Sequence, residues 1–239
     1  MPQILSGQHA IEEALNSDQT IDRVFIAQNK KKTPALHQLI SEARRQGVKV
    51  QFQSPHQLEE NYPEAKSTGL IAIVQDIPFY SLDDINVEEN PFIMIIDHLE
   101  DPYNFGAILR SSEIFGVTAV IFPKDRNCQL TPGVIKAASG SIAHLKLIRV
   151  TNIAKTIDRL KSDGYWIYGA DANDGECLTQ TRVNYPAALV AGNESKGLSR
   201  LVSKACDVRV KIPTQGKTDS LNVSVAMGVI LYHFSLNKS

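Results

Sequence analysis

Pro91-Phe-Ile-Met-Ile-Ile-Asp-His-Leu-Glu-Asp-Pro-Tyr-Asn-Phe-Gly-Ala-Ile-Leu-Arg-Ser-Ser-Glu-Ile-Phe-Gly116 is the stretch that decides the fold. Residues 91–96 form a short Ile-rich apolar run, the signature of a strand buried on both faces. After the polar corner, Phe105, Ile108, Leu109, the small Ser112 and Phe115 recur with the spacing of one helix face. Asp101 suits the N-cap, Pro102 the first turn and Gly116 the C-terminal stop. The unit is strand, tight corner, helix, and in open α/β sheets ligands sit beyond the carboxyl ends of such strands. On a helical wheel Arg110 falls opposite the apolar face and Asn104 on its flank. Two readings stay open: a solvated arginine pairing with Glu113 beside a capping asparagine, or two side chains directed at a ligand.

The same alternation continues in both directions. Upstream, helices are expected over 7–15 and 34–46, and strands over 21–27, 48–52 and 69–74. This makes a small α/β domain over 1–75. Residues 76–90 carry Pro78, Asp83, Asp84, Glu88 and Glu89 without apolar periodicity and read as a linker. Downstream, strands are expected over 118–122, 145–150, 165–169, 187–192 and from 208, with helices over 131–139 and 153–160. The domain 91–239 is therefore expected to be α/β, with a mostly parallel sheet covered by helices on both faces.

Composition excludes several classes. A formal charge of −1 over 239 residues gives no bulk attraction for nucleic acid, so any such partner needs a local patch. Lys30-Lys31-Lys32 and Arg44-Arg45 are the candidates. Three scattered cysteines suit reduced thiols, and neither they nor the six dispersed histidines have metal-ligand spacing. No metal is expected. The first residues lack signal-peptide character and no apolar run suffices to cross a bilayer, so a cytoplasmic protein without a membrane partner is expected. Neither a dinucleotide fingerprint, a P-loop nor a G-x-S-x-G elbow occurs.

Two further corners have the form of the first. In Leu189-Val-Ala-Gly-Asn-Glu-Ser-Lys-Gly-Leu198, glycines at 192 and 197 allow close backbone approach to a ligand, with Glu194 between them. An ordinary strand-to-helix turn is the alternative. In residues 208–226, a strand stops at Pro213, and a polar loop leads to Ser220 or Asp219 as cap of an apolar helix running to about Phe234. Ser220 and Asn222 are either simple caps or site residues. The helix is apolar almost all round, which calls for burial against the sheet or a partner subunit.

Taken in order, Asp101-Pro-Tyr-Asn-Phe-Gly-Ala-Ile-Leu-Arg110, Gly192-Asn-Glu-Ser-Lys-Gly197 and Ile212-Pro…Ser220-Leu-Asn-Val-Ser-Val-Ala226 resemble the three signature motifs of the SpoU (TrmH-type) RNA 2′-O-ribose methyltransferases of the SPOUT superfamily. The resemblance covers about 91–239. Ile4 to Leu15 resembles the start of the small L30e-like RNA-binding domain of many members, a layout nearest to those that methylate a guanosine of 23S ribosomal RNA. Ser111-Ser112 departs from the small pair ending in Ala that is more usual there.

The resemblance implies a trefoil-knotted C-terminal domain, a homodimer and S-adenosylmethionine as methyl donor. It implies backbone recognition of that donor at Gly192, Ile212 and Leu221, with neighbours in 189–194 and 210–224. It implies that Arg110 acts on the ribose hydroxyl, Asn104 and Glu194 position it, and Ser220 and Asn222 hold the third loop. A guanidinium stays protonated, so Arg110 is expected to grip phosphate and stabilise the developing oxyanion, not to act as base. Alternatives of other kinds are a transfer-RNA methyltransferase, a non-catalytic RNA-binding or ribosome-assembly protein, and an enzyme acting on a phosphorylated metabolite.

Overall fold

The structure, a computed structural model, describes residues 3–16, 19–75, 77–125, 127–216 and 220–237. Asp76 of the expected linker and Asp219, one of the two expected caps, lie outside them. The chain divides into two compact units, 1–78 with 129–135, and 79–128 with 136–239.

In the first unit, β1 (Gln3–Ser6), β2 (Thr20–Ala27), β3 (Lys49–Gln53) and β4 (Leu70–Gln75) form a sheet in the order β1-β4-β2-β3. Only β2 and β3 are parallel. Alternation along β2 sets the packing. Val24 and Ile26 meet α1 (Gln8–Leu15) and α2 (Pro34–Arg45) through Ile11, Leu36 and Leu39, while Phe25 and Ala27 meet Leu58 of α3 (Pro55–Asn61). β1 and α3 escaped the sequence reading because each is short and half polar. Residues 129–135 belong with this unit, where Thr20 Oγ1 donates to the Leu130 carbonyl at 3.0 Å.

The second unit opens with β5 (Phe79–Tyr80) and continues through β6 (Phe92–Ile96), α4 (Pro102–Ile114), β7 (Ala119–Pro123), α5 (Pro132–Ala138, begun in the first unit), β8 (Lys146–Val150), α6 (Ile153–Ser162), β9 (Trp166–Ala170), β10 (Glu176–Cys177), β11 (Ala187–Ala191), α7 (Arg200–Ala205), β12 (Val208–Lys211) and α8 (Val223–Leu236). The sheet order is β10-β12-β9-β11-β6-β7-β8-β5, and every pairing among the described residues is parallel. β6, β7 and β11 are buried at every position, as their unbroken apolar runs require. One face carries α6 and α7 on Ile93, Ile95, Ile121 and Val190. The other carries α4 and α8: Phe234 stacks on Phe92, and Phe105 meets Phe122 edge-on.

The expected linker is corrected here. Phe79 and Tyr80 pair with β8, Ser81 forms a capping box with Asp84, and Leu82, Ile85 and Val87 pack on the core. Charged residues hid a segment whose few apolar side chains all point inward. The cap of α8 is also corrected. It is Asn222, whose Oδ1 accepts from Ser224 N at 2.9 Å and Val225 N at 3.4 Å, and Ser220 stands in the loop before it.

Strand order places the site. From β6 the chain moves one way to β7 and β8, then returns to lay β11 on the other side. β6 and β11 end together, Ile96 opposite Ala191, so their corners emerge side by side at the switch point.

Candidate functional site

The β6 corner is held from inside. Asp97 is 1% exposed; its carboxylate meets His98 Nδ1 at 2.6 Å and accepts from Ser199 N at 2.8 Å. Its own N–H donates to the Ala191 carbonyl. His98 adopts a left-handed backbone, φ 65°. Asp101 then caps α4 by accepting from Tyr103 N at 2.8 Å, Pro102 occupies the first turn, and Gly116 leaves the helix at φ 79°.

The β11 corner folds on itself. Asn193 and Gly197 exchange backbone hydrogen bonds at 2.9 Å, and Asn193 Oδ1 accepts from Ser195 N and Lys196 N. A Cβ at Gly192 would lie 2.3 Å from the Gly197 carbonyl carbon. The close approach that demands glycine at 192 is therefore to the loop's own backbone. Asn193 Nδ2 reaches back to the His98 carbonyl at 2.9 Å.

One chain of side chains joins all three corners. Glu194 accepts from Glu100 N at 3.3 Å, Asp101 N at 3.1 Å and Asn104 Nδ2 at 3.3 Å. Buried Asn104 turns its Oδ1 to Asn222 Nδ2 at 3.0 Å. Asn222 uses its remaining oxygen to start α8. With its oxygens occupied as acceptors, Glu194 is built to hold the first corner in place and not to take a proton.

Beside this chain lies a cavity of about 390 Å³, a size usual for small-ligand sites. Gly192, Glu194, Ile212, Ser220 and Leu221 line it, together with Met227 of α8. Asp171 and Asn173, from the corner after β9, also line it and were missed in the sequence. Their signal was present: Asp171 follows a strand within Asp-Ala-Asn-Asp-Gly and caps its own turn, accepting from Asn173 N at 2.9 Å.

Arg110 stands apart. It is exposed, does not line the cavity, and has no hydrogen-bond or ion-pair partner among the described residues; the expected pairing with Glu113 is not formed. At about 100° per residue it shares one side of α4 with exposed Tyr103 and Ile114. On α8, Val225, Val229, Tyr232 and Leu236 form a second exposed apolar stripe. Ser112 is fully buried and its hydroxyl has no partner.

Burial pushes the Cys128 thiol up to about 12, with the Asp101 and Glu194 carboxylates adding to the effect. Cys206 is likewise raised to about 12 by burial. Cys177, accepting from Thr179, is lowered.

Comparison with known proteins agrees with this architecture. YacO, a TrmH-family tRNA/rRNA methyltransferase homologue from Bacillus subtilis, is 38% identical over 95% of this chain and 92% of its own. The SpoU methyltransferase AviRb of Streptomyces viridochromogenes, solved with the cofactor AdoMet, superposes with a TM-score of 0.64 at 22% identity, over 99% of this chain and 90% of that one. An A. aeolicus TrmH/SpoU tRNA-modifying enzyme gives 0.57 at 26% identity, over 62% and 76%. Residues 4–80 match the family of RNA 2′-O ribose methyltransferase substrate-binding domains. With residues 91–232 matching its family model, this chain belongs to the SpoU rRNA Methylase family.

Proposed function

We propose that this protein is an S-adenosylmethionine-dependent RNA 2′-O-ribose methyltransferase acting on a guanosine of 23S ribosomal RNA, in the cytoplasm and as a homodimer with a knotted C-terminal path. The observation that carries it is the hydrogen-bonded chain Glu194–Asn104–Asn222, which draws three distant corners around one cavity. A decoy that only bound RNA would need none of these contacts.

The cavity suits the cofactor. Apolar Ile212, Leu221 and Met227 offer a surface for an adenine ring, and Asp171 and Asn173 offer acceptors for ribose hydroxyls and an ammonium group. Gly192 and its neighbours present backbone. S-adenosylmethionine, when bound, supplies an electrophilic methyl group on a sulfonium.

The chain's own residues handle the other reactant. A ribose 2′-hydroxyl is a weak nucleophile and must lose its proton as it attacks in line. Arg110 holds an RNA phosphate and stabilises the negative charge that grows on the 2′-oxygen, and the proton leaves to phosphate or water. Glu194 and Asn104 keep the corner before α4 rigid, while Asn222 anchors the loop carrying Ser220 and Leu221. Because Arg110 lies on the outer side of α4, the site is completed when a second copy covers the α4 and α8 faces. The exposed apolar stripe on α8 supports that packing.

Methylation at a 2′-oxygen blocks alkaline cleavage of the following phosphodiester, so the product is readable. RNA from cells with and without this protein, partially hydrolysed at high pH and sequenced, is expected to differ by one protected guanosine in 23S ribosomal RNA. Protection in transfer RNA instead selects the second reading, which the names of YacO and the A. aeolicus enzyme favour. No protected site in either RNA overturns the proposal.

A further inference from the structure

The first unit offers two basic patches, and its structure treats them differently. Arg45 on α2 is spent on Glu42, bonded through both Nε at 3.0 Å and Nη2 at 2.7 Å. The corner after β2 is not neutralised in this way. Lys31 and Lys32 are exposed there and have no carboxylate partner among the described residues; the same holds for Lys66 in the turn before β4.

These two segments are braced against each other. Lys30 donates from Nζ to the Thr68 carbonyl at 2.6 Å, and the Ala27 N–H donates to the Gly69 carbonyl at 2.9 Å. The Thr68 hydroxyl is within 2.9 Å of Ser6 Oγ, and Gly69 turns the chain at φ 57°. The lysines are therefore carried on a fixed scaffold, and less side-chain and loop entropy is lost when they engage a ligand.

Between the segments is a cavity of about 220 Å³. Its wall includes Asn29, Glu59 and Ser67, which together offer donors and acceptors, over an apolar floor of Leu58 and Ala65. A flat apolar floor, polar groups at the edge and a cationic rim make the combination by which proteins take one unstacked base with its flanking phosphates.

We propose that the first unit grips single-stranded or bulged RNA at this corner, with Lys31, Lys32 and Lys66 on phosphates and one base in the cavity beside Asn29, Glu59 and Ser67. This rests on the reading of the chain as an RNA methyltransferase only in taking RNA as the ligand. It assigns to one face of the unit a contact that the family description leaves unplaced.

The test uses the full chain and two labelled probes, a 20-nucleotide single-stranded RNA of mixed sequence and a duplex of equal length. Each phosphate contact on a single strand contributes a slope of about −0.7 to log K against log salt. The triple variant Lys31→Glu, Lys32→Glu, Lys66→Glu is expected to weaken single-strand binding at least about tenfold and flatten the slope by about 2. Asn29→Ala with Ser67→Ala should weaken the single strand several-fold and leave the duplex within twofold, and Arg44→Glu with Arg45→Glu should leave the slope unchanged. All these positions are exposed or polar-edged, and an unchanged thermal midpoint checks folding. Wild-type binding that is undetectable, a triple variant within twofold of it, or an equal effect from the α2 pair overturns the proposal. S-adenosylmethionine binding by calorimetry, run on the same variants, separates the two ideas. If that binding is absent from the wild type while the RNA pattern holds, the methyltransferase reading fails and this one stands.

Discussion

Asn222 donates to Asn104 at 3.0 Å across 118 residues of chain, and Asn104 passes the connection on to Glu194. One amide thus ties the first residue before α8 to the first turn of α4 and to the loop after β11. Asn104→Ala leaves Asn222 Nδ2 and one Glu194 oxygen short of a partner, which costs about 1–3 kcal/mol per buried polar group. The variant is expected to unfold at lower temperature, and its loss of methyl transfer should exceed the loss of stability. Calorimetry and tritium transfer from labelled S-adenosylmethionine measure the two separately; an Asn104→Ala enzyme with unaltered turnover removes the clamp from the mechanism.

Arg110 supplies charge and not a lone pair, so another cation should partly replace it. Arg110→Lys is expected to keep measurable turnover, and Arg110→Ala to lose about 10²–10³-fold, the usual effect of deleting one transition-state donor. Single-turnover rates at saturating RNA make the comparison. A dead lysine variant with intact RNA binding speaks against electrostatic stabilisation.

Ser112 buries a hydroxyl that nothing accepts or donates to, at a position where an alanine would fit. Ser112→Ala removes a desolvated polar group without opening a cavity larger than one atom. Stability should rise by about 1 kcal/mol, seen as an increase of about 2–4 °C in the midpoint. A lower midpoint means the hydroxyl is bonded in solution.

The three thiols should separate by pH. A thiolate is the reactive form, and a lowered pKa leaves more of it at neutral pH while a raised one leaves less. Cys177, lowered by Thr179, should label first with a thiol-disulfide reagent near pH 8, whereas Cys128 and Cys206, both near 12, should stay unreactive until the protein unfolds. Mass spectrometry of the labelled peptides gives the order; modification of Cys128 or Cys206 ahead of Cys177 contradicts it.

Val229 sits in the middle of the exposed stripe on α8 and is 41% exposed. An aspartate there has little to disturb in an isolated protomer but places a charge in an apolar interface. Val229→Asp should convert a dimer to a folded monomer in light scattering, with methyl transfer falling in parallel. A wild type that is monomeric at micromolar concentration, or a variant that stays dimeric, argues for a different face.

The local grammar of this chain was legible in its residues. Asp101, Pro102 and Gly116 mark the ends of α4, because caps and left-handed exits are decided by the residues that occupy them. The unbroken apolar runs of β6, β7 and β11 announce burial on both faces, hence a parallel sheet. The three motifs named the family. Tertiary structure alone decided what those residues do to one another. Pairing of β6 with β11 brings Glu194 to Asn104, makes Gly192 a packing necessity within its own loop, and turns the charged segment after Asp76 into an edge of the sheet. It also faces Arg110 away from the cavity. Contacts between residues a hundred positions apart depend on strand order and register, and no local propensity encodes either one.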